Sequence, residues 1–257
     1  MPVTVPQLKA TFLAGSEDLP LLVVLPSLGT AAAVLWRETA ALLAGQFRVL
    51  AVDLPGHGAS PAATGDLTMA ALAAAVRAAV APFAAGEKFL CAGVSIGGAI
   101  TLQLAKESPE LLSGAVVLNS AAKIGSTAAW SERADLVQRE GTRVLRAGSE
   151  ARWFAPGFAP CPISEELLAT LNAADAGSYA ALCTALALFD LRQDLPALAL
   201  PMLVIGGIAD LATPPADQQA IAAAVPGARA EILADVAHLA PAERPQAVAE
   251  LIAAFRG

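Results

Sequence analysis

Lys88-Phe89-Leu90-Cys91-Ala92-Gly93-Val94-Ser95-Ile96-Gly97-Gly98-Ala99-Ile100 is the stretch on which the reading of this chain turns. An apolar run ending at Ala92 enters a Gly-x-Ser-x-Gly string, and the helical pattern from Ile100 to Ala105 leaves it. Strand, sharp turn and helix is the order this implies. A serine at such a turn is driven into a strained backbone conformation with its hydroxyl above the sheet edge. The glycines two before and two after let the helix pack against the strand. Ser95 is therefore the candidate nucleophile. The string is short, and a glycine-rich loop without chemistry satisfies it equally well, so the partners decide.

A serine hydroxyl is almost entirely protonated near neutral pH and needs a base. The chain has two histidines, His57 and His238. Where a nucleophile elbow is used, the order along the chain is nucleophile, acid, base, which selects His238. It follows the apolar run Ala230-Glu231-Ile232-Leu233 and precedes a helical pattern from Pro241 to Phe255, a loop position suited to a general base. The acid belongs between them at a strand end. Met202 to Gly207 reads as a buried parallel strand, Asp210 follows it, and the turn residues Thr213-Pro214-Pro215 come next. Asp210 would accept from the second ring nitrogen of His238, setting its tautomer and stabilising the imidazolium. Asp235 is the rival acid, but three residues from His238 it suits a turn better.

With 257 residues, 56% of them hydrophobic, the chain can bury a substantial core, and α/β chains of this length are commonly one unit. A net charge of −7 and the lack of any basic run disfavour nucleic acid, which needs clustered Lys and Arg to displace counterions. Cys91, Cys161 and Cys183 form no CxxC pair, which fits a reducing compartment and suggests neither a disulfide framework nor a zinc site. The amino end, Met1 to Pro6, lacks the basic region and apolar core of a secretory signal, so a cytoplasmic chain is expected. Met69 to Ala85 is alanine-rich, carries Arg77 and Pro82, and reads as an amphipathic surface helix rather than a membrane span.

In chain order, Leu21 to Leu25 is a buried strand, followed by the turn Pro26-Ser27-Leu28-Gly29-Thr30 and a helix from about Val34 to Leu43. A loop at the end of an early strand is where an elbow fold places its second oxyanion donor, so the backbone N–H groups of Leu28 and Ile96 are the candidate oxyanion hole. Arg48 to Val52 is a further strand, ending at Asp53-Leu54-Pro55-Gly56-His57-Gly58, where flanking glycines make His57 a loop-shaping residue. Ala115 to Asn119 is another. Strands alternating with helices argue for a mostly parallel central sheet flanked by helices. From Ala121 to about Leu188 the alternation stops and helical segments broken by glycine and proline take over, which reads as a helical cap over the Ser95 cleft. The expected organisation is a core of residues 1–120 and 189–257 with a cap insertion at 121–188.

The chain resembles the α/β-hydrolase superfamily over essentially its full length, and within it the 3-oxoadipate enol-lactonases. Carrying the resemblance are Ser27-Leu28-Gly29-Thr30, Asp53-Leu54-Pro55-Gly56-His57-Gly58, Gly93-Val94-Ser95-Ile96-Gly97-Gly98, Trp153-Phe154, Asp190-Leu191-Arg192 and Asp210 through Pro215. The most restricted string is Ala121-Ala122-Lys123-Ile124-Gly125 continuing to Trp130 and Arg133; Pro26 and the heavy use of alanine depart from the pattern. The resemblance implies the α/β-hydrolase fold and hydrolysis of a five-membered enol lactone bearing an acetate side chain, in aromatic-acid catabolism, without metal or organic cofactor. It implies substrate contacts at Ser27, Lys123, Trp130, Arg133 and Trp153. The partner is then a small anionic lactone, with neither nucleic acid nor membrane involved.

The lactone's free carboxylate needs a cation in a protein that is acidic overall. Arg133, with a planar fork able to bind a carboxylate bidentately, is the first choice, and Lys123 the second. A general carboxylesterase or cofactor-free perhydrolase would use the same triad. A non-enzymatic receptor would have no need of a complete one.

Overall fold

The computed structural model describes residues 4–255, so Met1 to Val3 of the amino end read above lie outside the described residues. The strands are β1 (Ala10–Ala14), β2 (Leu21–Leu25), β3 (Arg48–Val52), β4 (Phe89–Val94), β5 (Leu112–Leu118), β6 (Met202–Gly207) and β7 (Arg229–Leu233). They form one sheet in the order β1-β3-β2-β4-β5-β6-β7. Only β1 runs antiparallel to its neighbour; every other pairing is parallel. The mostly parallel sheet expected from the alternation is present. Its inner strands are uniformly apolar because both faces are covered: β2, β4 and β6 are buried at every position.

The helices are α1 (Ala32–Leu35), α2 (Arg37–Leu43), α3 (Met69–Ala84), α4 (Ile96–Glu107), α5 (Thr127–Glu140), α6 (Arg146–Trp153), α7 (Pro162–Ala173), α8 (Ala176–Leu188), α9 (Pro215–Ala224), α10 (Ala240–Glu243) and α11 (Pro245–Ala254). The single helix expected from Val34 to Leu43 is two, α1 and α2. Trp36 stands between them at φ −100° and ψ 0°, fully buried, its Nε1–H donating to the Leu25 carbonyl at 3.0 Å. That bond ties the break to the end of β2. The alanine-rich segment is α3, capped at its start by Thr68 and ended by Ala85 in the left-handed region. No described helix is long and apolar enough to cross a membrane.

Between β5 and β6, which are paired neighbours in the sheet, the chain leaves to form α5 to α8. These helices sit directly on the loops at the carboxyl ends of the strands. A Cβ on Gly29, whose φ is +89°, would stand 2.7 Å from Leu171 of α7. One on Gly56, at φ +67°, would stand 2.5 Å from Ser178 of α8. Glycine is required at both because the backbone is left-handed there and the inserted helices approach closely.

Candidate active site

Ser95 follows β4 and begins α4 in a strained conformation, φ +58° and ψ −116°. Its carbonyl accepts from Ala99 N at 2.9 Å and from Ser120 Oγ at 2.7 Å, and its own N–H donates to Leu118 O at 2.9 Å, so the surrounding strands over-determine the turn. The elbow glycines are there for space: a Cβ on Gly93 would lie 2.1 Å from Gly97 O, and one on Gly97 would lie 2.7 Å from Pro26 O. Ser95 remains 7% exposed. That exposure opens into a cavity of about 170 Å³ which His238 also lines.

Asp210, just beyond β6, accepts from His238 Nδ1–H at 2.9 Å through Oδ2. The same carboxylate accepts from Thr213 Oγ1 at 2.8 Å, from Asn119 Nδ2 at 3.1 Å, and from the amides of Ala212 and Thr213 at 2.8 and 3.0 Å. Burial by itself would raise the Asp210 pKa. The charge and hydrogen bond of His238 and the donors from Thr213 outweigh it and hold the carboxyl at about 2. Asn119, in the left-handed region at φ +44°, also donates to Ala237 O at 2.8 Å, joining the acid to the loop that carries His238. The rival Asp235 points outward, its side chain 83% exposed and 3.9 Å from Arg244. His57 is buried, its Nδ1–H donating to Pro55 O at 2.8 Å, away from the cavity wall. Desolvation depresses its pKa to about 4 and keeps the ring neutral.

Leu28 lines the cavity beside Ser95, while Ile96, fully buried, is the first residue of α4. As a first-turn residue, Ile96 has an N–H with no partner within the helix, at the end where the helix dipole is positive. Ser27, Trp130, Arg133 and Trp153 also line the cavity. Trp130 Nε1–H donates to Ile124 O at 2.6 Å, and the Arg133 guanidinium lies over its ring, 5.0 Å from the centroid. Gly125, at φ +61°, leaves room for this indole: a Cβ there would meet Trp130 Nε1 at 3.2 Å.

Lys123 stands apart from the other expected substrate contacts. It is absent from the cavity lining, and its ammonium pairs with Asp190 at 3.5 Å. The reason is local: Asp190, held by Arg192 at 2.7 Å, comes from the Asp190-Leu191-Arg192 turn beside the Lys123 segment, where Leu191 N donates to Ala122 O at 2.8 Å.

The cation that shares the cavity with Arg133 is Arg152, from α6. Partial burial and the neighbouring positive charge of Arg133 both disfavour its protonated form. Among the described residues neither guanidinium has a carboxylate within ion-pairing distance, and both line the cavity. Tyr179, on α8, lines the same wall; burial pushes its phenol up to about 12 against the opposing influence of Arg133. Arg152 and Tyr179 escaped sequence reading because an arginine or tyrosine within a helix carries no local mark of the cavity its side chain will line.

A model of the alpha/beta hydrolase family matches residues 22–251. The chain is 35% identical to 3-oxoadipate enol-lactonase 2 of Acinetobacter baylyi over 240 residues, covering 93% of this chain and 88% of that one. Among solved structures, a hydrolase from Pseudomonas aeruginosa superposes with a TM-score of 0.92 at 32% identity, covering 97% of this chain and 94% of the other. The enol-lactonase of Burkholderia xenovorans superposes with a TM-score of 0.90 at 30% identity, covering 96% and 95%. With a strained serine after β4, a histidine and aspartate joined after β7 and β6, and a family match spanning most of its length, the chain belongs to the alpha/beta hydrolase family.

Proposed function

We propose that this protein hydrolyses a small lactone bearing a free carboxylate, with 3-oxoadipate enol-lactone as substrate and 3-oxoadipate as product, in aromatic-compound catabolism. The observation that carries the reading is the pairing, in one cavity, of Ser95 and His238 with two guanidiniums, Arg133 and Arg152, neither of which has a carboxylate within ion-pairing distance among the described residues. A neutral ester gives no reason to hold two such charges, each half-buried, at one cavity. A carboxylate does, because a bidentate guanidinium contact in a partly dry site is among the stronger polar interactions available. The similarity to enol-lactonases from two bacteria supports the same substrate class.

His238 Nε2 takes the Ser95 hydroxyl proton as Oγ attacks the lactone carbonyl, while Asp210, ionised, faces Nδ1–H and stabilises the imidazolium. The amides of Leu28 and Ile96 donate to the oxygen as it gains charge. The ring C–O bond breaks, the departing enolate oxygen takes the proton from His238, and the released enol tautomerises to a ketone. An enolate leaves more readily than a simple alkoxide, so this proton transfer is undemanding. Water, deprotonated by His238, then cleaves the acyl-enzyme and regenerates Ser95. The chemistry calls on no metal or organic cofactor.

In this proposal residues 121–188 act as a cap over the core of 1–120 and 189–257, and supply the anion-binding wall. Three unpaired cysteines are compatible with a reducing, cytoplasmic setting. The deciding experiment follows loss of the enol lactone and of p-nitrophenyl acetate side by side in the ultraviolet. Efficient turnover of the lactone with weak turnover of the ester is expected; the reverse would favour a general carboxylesterase.

A further inference from the structure

His238 sits in a loop whose three consecutive amides are all committed. Ala237 N and Leu239 N donate to the same oxygen, Glu243 Oε1, at 3.0 and 3.2 Å, so the backbone bends around that oxygen with His238 at the apex. The His238 amide points the other way and donates to Trp153 O at 3.1 Å, in the inserted helical segment. Two residues on, Ala155 N donates to Glu243 Oε2 at 2.7 Å. A closed circuit results: Glu243 to the His238 loop, His238 to Trp153, and Ala155 back to Glu243. Glu243 is 4% exposed and lies outside the cavity lining, so it meets neither substrate nor the Ser95 hydroxyl.

An ionised carboxylate is costly to bury, and burial disfavours its charged form here. A purely space-filling position would suit an apolar side chain better. Three amide donors converging from two separate segments need an acceptor with two oxygens and no hydrogen, which among uncharged side chains of this length has no equivalent: glutamine has one acceptor oxygen, and its NH2 group would face an N–H.

We propose that Glu243 is a positioning residue for the general base, holding the His238 loop and the inserted segment Trp153–Ala155 in one fixed relation, so that alignment of the imidazole depends on how the insertion is seated. This role rests on the triad proposed above. Displacing a base by about 1 Å is enough to lower a rate about 100-fold, and among the described residues no other side chain grips the amides on both sides of His238.

The test uses Glu243→Ala and Glu243→Gln in the full chain. Four quantities are read: kcat and KM, each on the enol lactone and on p-nitrophenyl acetate, thermal melting, and the low-field proton NMR signal of the His238 Nδ1–H bonded to Asp210. For Glu243→Ala, kcat is expected to fall about 100-fold on both substrates with KM within about threefold, and the low-field signal to shift or broaden in protein that melts cooperatively. Glu243→Gln, which can keep its oxygen on Ala237 and Leu239 while losing Ala155, should fall between Ala and wild type on every readout. If Glu243→Ala does not fold, Glu243→Gln carries the test alone. A folded Gln variant with wild-type kcat and an unmoved low-field signal overturns the proposal, as does a loss of activity that merely tracks the unfolded fraction. Failure of the triad itself is seen separately, as activity surviving in His238→Ala.

Discussion

The guanidinium of Arg133 lies over the indole of Trp130 at 5.0 Å, and that indole is itself anchored to the Ile124 carbonyl at 2.6 Å. A long flexible cation is thereby held in one orientation toward the cavity, and the entropy of ordering it is met before any ligand arrives. Arg133→Ala and Arg152→Ala should each raise KM for the anionic lactone ~10- to 100-fold, the equivalent of ~1.5–3 kcal/mol for a hydrogen bond to a charged group. Hydrolysis of p-nitrophenyl acetate should change little. Lys123→Ala, whose ammonium is paired with Asp190, should leave both within about twofold. Steady-state kinetics on the two substrates checks all three, and equal losses on both would remove the arginines from carboxylate recognition.

Ser95→Ala and His238→Ala should retain less than about one hundredth of wild-type kcat. Asp210→Asn should lose activity too, because an amide facing His238 Nδ1 favours the wrong tautomer. Single-turnover measurements, which exclude a trace of wild-type contaminant, provide the check.

Backbone donors cannot be deleted by changing side chains, but the Leu28 loop can be pushed. A methyl on Gly97 would stand 2.7 Å from the Pro26 carbonyl and 2.8 Å from Leu25 Cβ, and neither neighbour is free to swing away. Gly97→Ala should therefore lower stability by ~1–3 kcal/mol through overpacking. It should also depress kcat beyond what the unfolded fraction explains, because the displaced segment carries the Leu28 amide. Melting curves and kcat on the same preparation separate the two effects.

His57 sets an acid limb for stability. Its pKa is depressed from 6.5 to about 4 by burial, so below pH 6.5 the unfolded chain takes up a proton that the folded chain refuses until about pH 4. More protons bound by the unfolded state means that stability rises with pH across this window and is lost as pH falls through it. At pH 5 the expected loss is on the order of 2 kcal/mol. His57→Gln, which keeps a donor for Pro55 O, should flatten the decline; urea unfolding at pH 7 and pH 5 measures the difference. Asp210, held at about 2, stays ionised throughout and contributes nothing to the change between those two pH values.

Much of the frame was legible in the residues because the signals were local. Fully apolar five- and six-residue runs ended by turn residues are too short for most helices and suit strands covered on both faces, and Gly-x-Ser-x-Gly after such a run marks a turn. The order of Ser95, Asp210 and His238 was likewise a property of one dimension. The split between α1 and α2 was not, since it depends on Trp36 reaching the Leu25 carbonyl. Nor was the antiparallel edge strand β1, only partly buried and lacking a continuous apolar run.

Chain order and composition alone determined a parallel sheet, a strained serine at its edge, and which histidine and aspartate were available to serve it. Only the tertiary structure decided which cations enter the cavity. Lys123 and Arg152 are equally basic in sequence, yet one is taken by Asp190 and the other is left facing Ser95. That choice, like the bond by which Ala155 joins the inserted segment to Glu243, arises from contacts between segments tens of residues apart. No local propensity encodes such contacts, because their energy exists only once both partners have been brought together and dried.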